Sequence, residues 1–170
     1  MRVAVLSDIH DQHAHLRQVL ALVRDRNPDL LLLCGDLTSP EVLLACRPSA
    51  PRLAFCLGNC DRHRAEALLR RGEELDAAGF DALGILPLPE GGSMAFSHFP
   101  AAARRAALDG RHLAVFYGHT HKPAEERLAA PHSAGAITLL ANPGDVEGRF
   151  GRVGGLLWDS LAGTLDWFQA

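Results

Sequence analysis

The chain has 170 residues, 48% hydrophobic and 22% charged, with a formal net charge of −3; this is the size and balance of one globular domain with its own core. A net negative charge excludes a molecule built as a whole to attract a polyanion, and no apolar stretch approaches the ~20 residues of a membrane span. Cys34, Cys46, Cys56 and Cys60 form no CxxC pair, and the run Arg2 to Leu6 is too short for a signal segment, so the expectation is a single domain over 1–170, reduced and cytoplasmic.

Arg2 to Leu6 is a short apolar run that suits a buried strand. His13 to Arg26 carries Leu16, Val19, Leu20 and Val23 at helical spacing and ends at Asn27-Pro28. Asp29 to Cys34 predicts a second strand, and Glu41 to Cys46 a short helix opened by Pro40. Arg52 to Leu57 predicts a third strand, and Arg64 to Ala78 a third helix closed by Gly79. This βαβαβ order implies a parallel sheet with right-handed crossovers. The second half has strand-like runs at Ala82 to Leu86, Ser93 to Ser97, His112 to Tyr117, Ile137 to Ala141, Gly154 to Trp158 and Thr164 to Phe168. One helix, Ala101 to Leu108, interrupts them. They predict a second, partly antiparallel sheet packed on the first, and hence an α/β fold. Leu83 to Leu88 reads equally as core or as an interface, which leaves a homo-oligomer open.

Each early strand ends in a polar cluster: Ser7-Asp8-Ile9-His10, Gly35-Asp36 and Gly58-Asn59-Cys60-Asp61. Open α/β sheets place ligands at that carboxyl edge, and a glycine before Asp36 and Asn59 suits a turn where backbone approaches a ligand. Two later runs end alike, in Ser97-His98 and Gly118-His119-Thr120-His121. Side chains alternate along an extended segment, so Asp8 and His10, and likewise His119 and His121, are expected to point to one side. Carboxylate, imidazole and amide oxygen form a moderately hard ligand set that suits Mn, Fe, Zn, Ni or Co better than Ca or Mg. Asp8, His10, Asp36, Asn59, His98, His119 and His121 exceed one tetrahedral site. They fit two metals sharing a bridging carboxylate, for which Asp36 is the natural choice.

Taken singly, each signal has a plain structural explanation. A Gly-Asp is a turn, Asp11 a helix cap, a buried His a hydrogen-bonded core residue. Five clusters in order at strand ends are hard to explain by packing. His13, His15, His63, His112 and His132 lack this placement and read as surface or packing residues, with His13 and His15 near enough to line the pocket. The arginine runs Arg62/Arg64, Arg70-Arg71 and Arg104-Arg105 have no interleaved aromatics and read as solvated helix faces, not a nucleic-acid stripe. Arg62, directly after the third cluster, could reach a phosphate.

The ordered set SDIH, GD, GNCD, SH and GHTH, with Asn142-Pro143-Gly144 beyond it, resembles the calcineurin-like metallophosphoesterase superfamily. Length and the cysteine of GNCD look most like its small single-domain bacterial and archaeal phosphodiesterases. The resemblance implies a four-layer α/β/β/α sandwich, two packed mixed sheets flanked by helices, with a dinuclear centre on one edge. It implies Asp8, His10, Asp36 and His121 around one metal, and Asp36, Asn59, His98 and His119 around the other. Manganese is the first expectation, with nickel, iron, cobalt or zinc as other occupants. The implied reaction is hydrolysis of a small phosphate ester, most simply a diester, by a hydroxide bridging the metals. Asn59, Cys60, Asp61 and His98 are the candidate catalytic residues. Asn59 steadies phosphoryl charge and Asp61 orders the third loop. Cys60 stands where many members carry the His of GNH, which acts near the leaving group; a thiol with a pKa of ~8.5 is a mediocre acid there, so aryl esters are expected to be preferred. His98 is followed by Phe99-Pro100 where Gly-His is common, which makes the loop beside the pocket apolar.

The competing expectation is a non-catalytic scaffold, because a retromer subunit of this fold works chiefly as an interaction module. An amidohydrolase barrel needs ~200–250 residues, and neither GxxxxGK[ST] nor a GxGxxG after the first strand is present.

Overall fold

The computed structural model describes residues 1–131 and 135–170; His132 lies outside the described residues. Strands β1 (Arg2–Leu6), β2 (Leu30–Cys34) and β3 (Arg52–Cys56) run parallel, linked by helices α1 (His13–Asp25) and α2 (Pro40–Cys46). Helix α1 buries Leu16, Val19, Leu20 and Val23, the stripe expected from their spacing. A 3-10 turn (Asn59–Arg64) leads into α3 (Ala65–Glu74).

The third helix ends earlier than its sequence suggests. The backbone N–H groups of Leu75 and Ala77 both donate to the Gly72 carbonyl and close it. Ala78 and Gly79 then belong to β4 (Ala78–Phe80), which pairs parallel with β3. This strand satisfies backbone groups on β3 that would otherwise be unpaired, and at three residues it is too short to leave a periodic signal.

The second sheet contains β5 (Leu83–Pro87), β6 (Ser93–Ser97), β7 (Ala114–Tyr117), β8 (Ala124–Ala129) and β9 (Ile137–Asn142), in the order β5-β6-β7-β9-β8, with α4 (Pro100–Leu108) between β6 and β7. The last two strands are not part of it. β10 (Gly154–Asp159) lies antiparallel to β1, and β11 (Thr164–Gln169) pairs outside β10, so both extend the first sheet. β8 was not expected as a strand because Glu125, Glu126 and Arg127 are exposed along it, as charged residues are on many edge strands.

Strand residues buried on both faces divide between two cores. Ala4, Leu6, Leu31 and Leu33 pack with Leu16, Val19 and Leu43 of the helices. Val3, Val5, Leu30 and Leu32 pack with Phe96, Phe116 and Leu139 of the second sheet. Helix α4 covers the far face through Ala103, Ala106 and Ala107. The result is the α/β/β/α sandwich of two mixed sheets that the resemblance implies. Leu83 to Leu88 is neither plain core nor a continuous apolar face: Leu86 and Leu88 are buried, Leu83 and Ile85 are exposed. No helix among the described residues is long and apolar enough to cross a membrane.

Candidate metal centre

The carboxyl ends of β1, β2, β3, β6 and β7 meet at one edge, and all seven expected donors leave from them. The backbone there is not extended. Asp8, His10, Asp36, His119 and His121 have φ of 53°, 46°, 51°, 69° and 60°, a left-handed conformation that costs a non-glycine residue ~1–3 kcal/mol and clusters at functional sites. Asp8 and His10 nevertheless converge, with His10 Nε2 3.9 Å from Asp8 Oδ1, whereas the expectation that His119 and His121 point to one side is corrected. His119 turns toward Asn59 and His98, while His121 turns toward Asp8.

Contacts between loops hold these turns. Ile9 and His10 N–H donate to the Asp36 carbonyl at 3.0 and 3.2 Å. The His119 N–H reaches Asp8 Oδ2 at 3.0 Å, and the Cys60 N–H reaches Asp36 Oδ1 at 2.9 Å. Glycine is required at two positions by crowding. A Cβ on Gly58 would lie 2.5 Å from the Asp36 backbone nitrogen, and one on Gly118 would lie 2.7 Å from the Cys34 carbonyl oxygen.

His98 is fully buried, and its Nδ1–H donates to the Cys34 carbonyl at 2.9 Å, so Nε2 presents a lone pair. That nitrogen lies 3.0 Å from Asn59 Oδ1 and 3.2 Å from His119 Nδ1, while Asn59 Oδ1 lies 3.0 Å from His119 Nδ1. Two of these three atoms can only accept. Asp36 Oδ2 is 3.5 Å from both His98 Nε2 and His10 Nε2, the central place expected of a bridge. On the other side His121 Nε2 and His10 Nε2 lie 3.4 and 3.9 Å from Asp8 Oδ1, with the two rings stacked at 5.2 Å. His10 Nε2 is buried with no hydrogen-bond partner among the described residues.

These observations fit a pair of cations. Lone pairs that converge without enough protons repel one another, and a positive ion among them removes the conflict. Donor groups close enough for metal binding include Asp8–His10–His121 and Asp8–Asp36–His98. Burial pushes the Asp8 carboxyl pKa up; the Ser7 hydroxyl, His98 and His121 pull it back, and Asp36 adds to the rise. Asp8, Asp36, His98 and His121 are buried while Asn59 and His119 are exposed, so the donors form a closed floor and an open rim.

Several neighbours were not foreseen. His121 Nδ1–H donates to Asp145 Oδ2 at 2.9 Å, and Glu147 Oε2 lies 3.3 Å from the same nitrogen. Asp145 is the acid after Pro143-Gly144 at the end of β9, the same kind of position as Asp8 and Asp36, and that placement was its only sequence signal. The Asn142 amide donates to the Gly118 carbonyl and Thr120 Oγ1, tying down the GHTH turn. Ser7 Oγ–H donates to Asp8 Oδ2 at 2.6 Å.

Asp61 is fully buried and accepts the Thr38 and Gly58 N–H groups at 2.7 Å each, so it joins the second and third loops. Cys60 is exposed, with Sγ 3.2 Å from Asn59 Nδ2. Desolvation, then Asp36, Asp61 and Asp8, push its thiol up to about 11. Arg62 lines a cleft with Gly58 and Phe99 beside the centre. His15 Nδ1 meets the Glu147 carbonyl, His112 is buried against Ser93, and His13 and His63 are exposed.

The model of the calcineurin-like phosphoesterase superfamily domain matches residues 1–158. A phosphodiesterase of Methanocaldococcus jannaschii is 26% identical over 151 residues, covering 87% of this chain and 86% of that protein. Among solved structures, a novel archaeal phosphodiesterase matches with a TM-score of 0.84 at 20% identity, all of both chains being covered. A single mutant of Vps29 from Entamoeba histolytica matches with a TM-score of 0.66 at 16% identity, over 100% of this chain and 98% of that one.

Proposed function

Because the chain belongs to the calcineurin-like phosphoesterase superfamily, we propose that it is a metal-dependent hydrolase of small phosphodiesters. The likenesses to the archaeal phosphodiesterase and to Vps29 are likenesses of fold, and fold does not decide between enzyme and scaffold. The observation that carries the proposal is the convergence of Asn59 Oδ1, His98 Nε2 and His119 Nδ1 within 3.0–3.2 Å of one another. Such a set of acceptors supports a cation held among them. The phosphodiesterase of M. jannaschii supports a diester substrate.

Asp8, His10, Asp36 and His121 would hold one dication, and Asp36, Asn59, His98 and His119 the other, with manganese the first candidate. Two such ions supply charge that acidifies a water toward neutral pKa and neutralises the phosphoryl oxygens. The residues of the chain do the rest. The Cys34 carbonyl and the Asp145 carboxylate fix the tautomers of His98 and His121, a role that outer partners play for metal-binding histidines. Asp61 keeps the Asn59 turn in place. The Cys60 thiol is exposed beside Asn59 and is the group placed to offer a departing alkoxide a proton, with the ~8.5 pKa of a free thiol. So weak an acid favours substrates whose leaving group needs little help, such as aryl esters.

The test is hydrolysis of bis-(p-nitrophenyl) phosphate by metal-stripped protein resupplied with Mn²⁺, Ni²⁺, Co²⁺, Fe²⁺ or Zn²⁺ in turn. Turnover that appears with metal and vanishes with chelator supports the proposal. No turnover with any of them leaves the scaffold as the better account.

A further inference from the structure

A cleft of about 330 Å³ lies at the His121 end of the donor cluster, between residues 143–155 and the last strand. Its position follows from the topology. β10 runs antiparallel to β1, with Leu156 opposite Val5, so the start of β10 lies at the carboxyl end of β1, on the same sheet edge as the donors. His121 and Asp145 form part of the cleft wall, which makes it continuous with the candidate metal centre.

Its remaining lining combines aromatic surface with positive charge. Phe150 is 56% exposed, a large ring left in solvent beside polar chemistry. Lys122 Nζ lies 5.1 Å from the centre of that ring, and Arg152 adds a second cation. Trp167 also lines the cleft, half-buried against the inter-sheet core, its buried Nε1 without a hydrogen-bond partner among the described residues. A lone exposed phenylalanine is unremarkable. A phenylalanine, a tryptophan and two cations around one concavity within the size range of small-ligand sites, ~300–1,000 Å³, make a receptor for a flat ring carried by an anion.

We propose that this cleft receives the ester group that stays on phosphorus during hydrolysis, and that this group is a flat aromatic one, an aryl ring or a nucleobase. The proposal rests on the metal-centre reading above. The retained group is chosen over the leaving group because the cleft adjoins His121, a buried donor, and so anchors its occupant beside the donors, whereas Asn59 and His119 form an exposed rim past which the other ester group leaves.

Three diesters that share the p-nitrophenolate leaving group separate binding from leaving-group chemistry: the methyl, phenyl and thymidine-5′-yl p-nitrophenyl phosphates. The expected result is a kcat/KM higher for the phenyl or thymidine ester than for the methyl ester by about tenfold, the larger of the two identifying the aromatic source. Phe150→Ala should abolish most of that preference, lowering kcat/KM for the phenyl and thymidine esters about tenfold more than for the methyl ester. Equal loss on all three esters, or no loss on any, overturns the proposal. A second arm does not depend on turnover. Trp158→Phe leaves Trp167 as the sole tryptophan, and its emission should respond to phenylphosphonate and not to methylphosphonate. Emission that follows protein concentration instead assigns the cleft to a second copy of the chain and overturns the proposal, as does emission indifferent to both phosphonates. If none of the three esters is hydrolysed with any metal, the metal-centre reading fails, and the emission arm still decides the cleft.

Discussion

The Nδ1–H of His98 is committed to the Cys34 carbonyl, so Nε2 has only a lone pair to offer Asn59, His119 and Asp36. Asp36 has the same commitment in mirror form: Oδ1 accepts from the Cys60 N–H while Oδ2 faces two imidazoles. Asp36→Asn should therefore remove most phosphodiesterase activity and lower the bound metal of both positions, measured by elemental analysis. Among the described residues, Asp145 touches the centre through His121 Nδ1. Asp145→Asn is expected to weaken metal binding ~10–100-fold, read by competition with a chromogenic chelator; unchanged affinity would show that His121 needs no orienting partner. Cys60→Ser should keep most activity toward aryl esters, and a loss of several hundredfold would show a direct role for the thiol. That the seven candidate donors meet at one edge was legible because each follows a strand in a polar cluster. The opposite turns of His119 and His121 were not, because the left-handed backbone at both breaks the alternation from which direction is read. Glu147 left no signal, since its place depends on how the chain returns beside β1.

The turn after β7 carries the most crowded contacts of the site. Gly118→Ala would press a methyl group against Ser7 Oγ and the Cys34 carbonyl, and should destabilise the fold by ~1–3 kcal/mol, measured from the urea midpoint. At the other end of that strand His112 packs against Ser93, and burial lowers its pKa, partly offset by Asp109. Its unfolded form takes up a proton first, near pH 6.5. The contribution of His112 to stability is thus complete above that pH and is lost as pH falls toward the lower folded value. His112→Gln should flatten the decline of the urea midpoint between pH 7.5 and pH 5; a slope identical to that of the parent would contradict this. Helix α1 was readable from periodicity, and strands β1 to β3 from short apolar runs that end in polar clusters. The edge strand β4 and the return of β10 and β11 to the first sheet were not, because strand partners are chosen by long-range packing that no local pattern records.

Two sheets from different parts of the chain present their carboxyl ends to one cavity. In a molecule with net charge −3, that cavity adds two buried carboxylates, Asp8 and Asp36, to the cost of folding. Dications that bind the folded state alone should offset this, raising stability by ~2.7 kcal/mol at a concentration 100 times the dissociation constant. Excess Mn²⁺ or Zn²⁺ is accordingly expected to raise the melting temperature of the parent protein and to raise that of Asp36→Asn far less. Both effects depend on metal being held by these donors, which equilibrium dialysis against excess Mn²⁺ or Zn²⁺ followed by elemental analysis measures directly. Two retained metal ions per chain is the predicted result, and none retained would contradict the account.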